Sequence, residues 1–140
     1  MAHKTQQLGY GYCIIETVNP SDLVLVWRIT EVCDLACPFC AYSRDLRRPR
    51  AAANPDDVLR FGALLGEYTR AYRRNILVSW LGGEPLLWKP LLDLSHTVKH
   101  EFGLRVSVTT NGTALASEPV RRRNMEAIVM DGHAILITPP

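Results

Sequence analysis

Three short apolar runs constrain the fold: LVLVWRI at 23–29, ILVSW at 76–80 and LRVSVTT at 104–110. Each is rich in β-branched residues and has the length of a buried strand. Helix-length segments separate them. NPDDVLRFGALLGEYTRAYRR opens with Asn54 as N-cap, Pro55 at the first helical position and Asp57 at N3. Val58, Phe61, Leu64, Leu65 and Tyr68 then recur at helical spacing, giving an amphipathic helix to about Arg74. Gly62 and Gly66 lower its propensity without moving that stripe. A second helix is expected from Lys89 to Glu101, stopped by Gly103. AILIT at 134–138 reads as a fourth strand, and a short helix is expected from Glu118 to about Met125. Strand, helix, strand, helix, strand is the signature of an α/β fold with parallel strands and right-handed crossovers.

Loops at the C-terminal ends of parallel strands are where α/β folds gather their chemistry. Three unusual loops fall there. VCDLACPFC follows the first strand and carries Cys33, Cys37 and Cys40, three of the chain's four cysteines. GGEP, residues 82–85, follows the second strand, and TTNG, residues 109–112, ends the third. Three oddities on one expected face make one expected site.

The spacing C-x₃-C-x₂-C can be read in two ways. Three thiolates can hold three corners of an iron–sulfur cubane, leaving one iron without a protein ligand and open to another molecule. Alternatively, Cys13 or a histidine completes a closed structural zinc site. Gly82 and Gly83 either let a ligand approach the backbone or allow dihedrals that other residues avoid. Glu84 offers a carboxylate to an ammonium group, or is the solvated end of a turn. Thr110 and Asn111 can hydrogen-bond a polar ligand, or serve only the Asn-Gly turn.

CDLACPFC, GGEPLL and TTNGT, in that order and spacing, resemble the radical S-adenosylmethionine (radical SAM) enzymes. The likeness covers roughly residues 23–115 and is nearest to the branch with peptide-modifying, sulfatase-maturating and molybdopterin-synthesis members. It implies a truncated (βα)n partial TIM-type barrel as the fold. It also implies a [4Fe–4S] cluster on Cys33, Cys37 and Cys40, with S-adenosylmethionine chelating the remaining iron. Phe39 would lie beside the adenine, Gly82, Gly83 and Glu84 would receive the methionine ammonium, and Thr110 and Asn111 would lie near the cofactor's polar end. The implied reaction is reductive cleavage to a 5′-deoxyadenosyl radical that abstracts hydrogen from substrate, a peptide among the candidates. A reducing donor such as flavodoxin or ferredoxin is the implied partner. On this reading Glu84→Gln should weaken cofactor binding and leave cluster assembly alone.

Fewer βα units fit here than the family's barrel contains, and within these residues no cysteine follows Cys40 to build an auxiliary cluster. The contrasting reading is a non-enzymatic zinc- or cluster-stabilised α/β module, or a degenerate truncated remnant. Residues 1–22 read as an N-terminal extension, 23–125 as the core, and 126–140 as an atypical tail. The net charge of +2 is too small to argue for nucleic acid or an acidic membrane as partner. No apolar run approaches the roughly 18 residues of a membrane span. The N-terminus carries no apolar signal segment, so a cytoplasmic chain is expected, where clustered cysteines serve metals or catalysis more than disulfides. RDLRRPR at 44–50 reads as a solvated loop and Cys13 as a buried thiol. Trp27, Trp80 and Trp88 read as core, Tyr68 and Tyr72 as an i, i+4 pair, and the four histidines as unrelated to one another.

Overall fold

A computed structural model describes residues 7–8, 12–13, 22–38, 40, 50–116 and 134–137. Two short strands, β1 (Gln7–Leu8) and β2 (Tyr12–Cys13), pair antiparallel. The remaining elements are β3 (Asp22–Thr30), α1 (Pro55–Tyr72), β4 (Asn75–Gly82), α2 (Leu91–His100), β5 (Arg105–Thr110) and β6 (Ala134–Ile137). The last four strands form one all-parallel sheet in the order β3-β4-β5-β6. All four expected strands are present, and the chain is α/β with a parallel sheet. Phe39 and the short helix expected over 118–125 lie outside the described residues.

Strand pleating sends alternate residues to opposite faces. Ile76, Val78 and Trp80 of β4, with Val106 and Val108 of β5, point to the helix side and are buried. They close a core with Ile29, Val58, Leu91, Leu94, Val98 and Leu104. Trp27 pairs in register with Trp80, their ring centroids 5.5 Å apart, and meets Phe61 edge-on at 5.1 Å. Trp80 Nε1 donates to Ser95 Oγ at 2.8 Å, so the buried indole keeps its hydrogen bond. Trp80 is core, and Trp27 and Trp88 pack against that core partly buried, in line with the expectation. On the opposite face Val24 and Val26 remain 64% and 59% exposed.

α1 begins as its sequence foretells. The Asn54 side chain accepts from the Asp56 amide at 2.9 Å, and Pro55 needs no donor at N1. Val58 is buried and Leu65 packs against the core as the expected stripe has them, but the fully buried line runs through Val58, Gly62 and Gly66. Phe61, Leu64 and Tyr68 are exposed. A Cβ on Gly66 would stand 2.8 Å from the Phe102 carbonyl oxygen, so the glycines seat α1 against the end of α2. That close approach leaves Leu64 and Tyr68 toward solvent. Tyr68 and Tyr72 do pair, with centroids 4.6 Å apart.

α2 starts at Leu91, two residues later than expected, because Pro85–Leu87 forms a separate 3₁₀ turn and Pro90 stands at the cap. It stops where Gly103 adopts φ +71°. His96 and His100 lie one turn apart with centroids at 4.4 Å, a relation that the sequence reading missed. Among the described residues no helix is long and apolar enough to cross a membrane.

Candidate iron–sulfur and cofactor site

Three connections leave the C-terminal ends of β3, β4 and β5, and the structure brings them together. The cysteine loop leaves β3 at Thr30 and is pinched at its base. There Glu31 N donates to Ala51 O at 2.8 Å and Ala53 N to Ile29 O at 2.7 Å. The Glu31 side chain reinforces the pinch, accepting from the Ala51 amide at 3.1 Å and pairing with Arg28 at 3.4 Å. Cys33 and Cys37 are half-buried on this loop, Cys40 is exposed, and all three are free thiols.

GGE carries the β3–β4 pairing past the ends of the strands. Gly83 N donates to Thr30 O at 2.8 Å and Glu84 N to Val32 O at 2.7 Å. This approach leaves no room for side chains. A Cβ on Gly82, whose φ is +156°, would lie 2.3 Å from Thr30 O. On Gly83 it would lie 2.2 Å from Val32 O and 3.0 Å from Cys33 Cβ. Gly82 takes a positive φ that other residues avoid, and both glycines let β4 approach the loop backbone closely. They press β4 against the root of the cysteine loop.

Glu84 is wholly enclosed, at 0% exposure. Its Oε1 accepts from the Leu86 amide at 2.9 Å and the Thr110 hydroxyl at 2.7 Å. Its Oε2 accepts from the Asn111 amide at 2.7 Å. The reading of Glu84 as a solvated turn residue is therefore corrected: it fastens the end of β4 to the end of β5. Three donors fill three of the roughly four lone-pair positions of a carboxylate. Thr110 is buried too and accepts from the Gly112 amide at 3.0 Å.

Asn111 reaches from β5 to the cysteine loop. Its Nδ2 donates to Asp34 Oδ1 at 3.0 Å and to Cys33 Sγ at 3.7 Å. Asp34 Oδ2 accepts from the Thr113 hydroxyl at 2.5 Å. Partial burial pushes the Asp34 carboxyl up, but hydrogen bonds from Thr113, Asn111 and its own backbone outweigh this and leave it below the usual range. Asp34 and Thr113 were not among the expected site residues. The local hint was weak: a carboxylate beside the first cysteine and a hydroxyl beside Asn-Gly, far apart in sequence.

Three free cysteine thiols on one loop are a donor set that an iron–sulfur cluster accepts. Among the described residues, no three His, Cys, Asp or Glu side chains group closely enough to hold a single ion. A cubane assigns each thiolate its own iron, so its ligands stand apart. The Cys33 sulfur also has two N–H groups aimed at it, Leu35 N at 3.4 Å and Asn111 Nδ2 at 3.7 Å, and lies 4.0 Å from Asp34 Oδ1.

Comparison with known proteins agrees. Residues 27–130 match the model of the Radical SAM superfamily. The chain belongs to the radical SAM superfamily. Its curated relatives include an S-adenosylmethionine-dependent nucleotide dehydratase from Fibrobacter sp. (strain UWH6), 29% identical over 70% of this chain and 30% of the relative. Another is an AdoMet-dependent heme synthase from Nitratidesulfovibrio vulgaris, 23% identical over 91% of this chain and 32% of the relative. The chain thus spans about a third of the length of the curated relatives it matches. No solved structure matches it at the same stringency. A parallel sheet with helices on one face agrees with part of a radical SAM barrel.

Proposed function

We propose that this chain carries the cofactor end of a radical SAM enzyme, with Cys33, Cys37 and Cys40 as ligands of a [4Fe–4S] cluster. When bound, the cluster and S-adenosylmethionine supply a 5′-deoxyadenosyl radical for hydrogen abstraction after one-electron reduction by a donor such as flavodoxin or ferredoxin. The observation that carries the reading is the convergence of Cys33, on the loop that also carries Cys37 and Cys40, with GGE and TTN at the ends of adjacent parallel strands. Gly82, Gly83 and Glu84 hold the rim on which the methionine ammonium docks, the enclosed Glu84 carboxylate fixing that rim through its bonds to Thr110 and Asn111. Thr110 and Asn111 set the far side of that rim, and Phe39 borders the adenine. Within the sequence likeness, a peptide is the substrate class to test first. A nucleotide, after the name of one relative, is the comparison.

Anaerobic reconstitution with iron and sulfide tests the proposal. A brown protein with about four irons and four sulfides per chain is expected. Cys33→Ala, Cys37→Ala and Cys40→Ala should each abolish it, and Cys13→Ala should not. A colourless protein with stoichiometric zinc overturns the reading.

A further inference from the structure

Asn111 has an amide with two ends, and the local turn uses only one. Its Oδ1 accepts from the Thr113 amide at 2.9 Å, the ordinary side-chain-to-backbone bond of an Asn-Gly turn. Aspartate would serve that bond equally well. The other end, Nδ2, faces away from the turn to Asp34 Oδ1 at 3.0 Å and Cys33 Sγ at 3.7 Å, on a loop 77 and 78 residues earlier. Only an amide can accept from Thr113 N with one end and donate to a carboxylate and a sulfur with the other. Two further contacts fix its position. The Asn111 backbone amide is held by buried Glu84 at 2.7 Å, and the Thr113 hydroxyl holds the second oxygen of Asp34 at 2.5 Å.

We propose that Asn111 is a positioning residue: it ties the Cys33–Asp34 end of the cysteine loop to the end of β5, and its N–H bond to the Cys33 sulfur raises the reduction potential of the cluster held there. The tie stands on the geometry alone; the effect on potential rests on the cluster reading given above. Donors to a ligand sulfur stabilise the electron-rich reduced cluster, so their loss lowers the potential. Their loss should leave the number of ligands unchanged. Asn111 therefore acts on the cluster through Cys33 as well as standing beside the cofactor.

The test compares wild type, Asn111→Asp, and the exchanged pair Asp34→Asn/Asn111→Asp in the full chain. Asn111→Asp keeps the turn acceptor, removes both Nδ2 donors and sets two carboxylates against each other. Two readouts are used: amide hydrogen exchange of residues 33–35 without the cluster, and the midpoint potential of the reconstituted cluster alongside iron content. For Asn111→Asp, faster exchange at 33–35, unchanged exchange at 76–80, and a more negative potential at equal iron content are expected. The exchanged pair restores a donor–acceptor contact between positions 34 and 111 but not the donor to sulfur. It should recover slow exchange while the potential stays low. Unchanged exchange in Asn111→Asp overturns the tie, and unchanged potential at full iron overturns the sulfur bond. A wild type that assembles no cluster overturns the proposed function together with the potential effect, while exchange still decides the tie.

Discussion

Glu84 is a carboxylate surrounded by donors, and this changes what its substitution should do. Glutamine keeps one oxygen and replaces the other with an amide that donates. In one orientation the Leu86 amide loses its acceptor, in the other the Asn111 amide does. Each buried donor left unsatisfied costs about 1–3 kcal/mol. Glu84→Gln should therefore lower the unfolding free energy read from urea titration by that amount and reduce iron incorporation, where the sequence alone suggested normal assembly. Gly83 supplies a companion case. Gly83→Ala drives a Cβ to 2.2 Å from the Val32 carbonyl oxygen, backbone against backbone at the root of the cysteine loop. Gly103→Ala meets nothing within 4 Å and carries only the strain of φ +71°, about 1–2 kcal/mol. Iron analysis of the reconstituted proteins should show a loss for Gly83→Ala and full content for Gly103→Ala. The cysteines, GGE and TTN were legible as one candidate site because each sits at the end of a strand. The internal bonds of Glu84, and the reach of Asn111 to Asp34, were not legible. They depend on which loops the sheet places side by side, and local spacing does not encode that.

At the level of elements, the strands were legible because β-branched apolar runs announce themselves, and α1 because Asn54-Pro55 marks its start. The way α1 packs was hidden. Counting apolar residues favours Leu64 and Tyr68 as core, yet small residues admit the closest neighbour. Gly62 and Gly66 therefore looked like weak points and are in fact the contact. A pair of substitutions separates propensity from packing. In a helix interior Ala is favoured over Gly by about 1 kcal/mol. At Gly62 the nearest atoms to an added Cβ are the Phe102 ring at 3.1 and 3.2 Å, which a side-chain rotation can relieve. At Gly66 the nearest is the Phe102 carbonyl oxygen at 2.8 Å, which moves only with the backbone. Gly66→Ala should lower the thermal midpoint despite its better propensity, whereas Gly62→Ala should be neutral or mildly stabilising. Equal shifts in thermal unfolding would mean that α1 does not rest on the end of α2.

At the scale of the whole molecule, α1 and α2 cover one face of the sheet, and among the described residues no helix covers the other. Parallel sheets are ordinarily covered on both faces, because their strands carry apolar residues on each. Here Val24 and Val26 stand on the uncovered side of β3, 64% and 59% exposed, and β3 is an edge of the described sheet. The chain also spans only about a third of the length of its curated relatives. Exposed apolar surface on an edge strand favours association, and charge on such a strand opposes it. The 140-residue chain should thus self-associate with rising concentration. The double substitution Val24→Lys/Val26→Lys should shift it toward monomer. The core should be largely spared, since neither valine belongs to the buried cluster around Trp80 and Val78. Sedimentation velocity across a concentration series would read the association, with thermal unfolding as the control on folding. A wild type that stays monomeric at all concentrations would show that this face needs no cover. Association unchanged by the two lysines would place the contact elsewhere on the molecule.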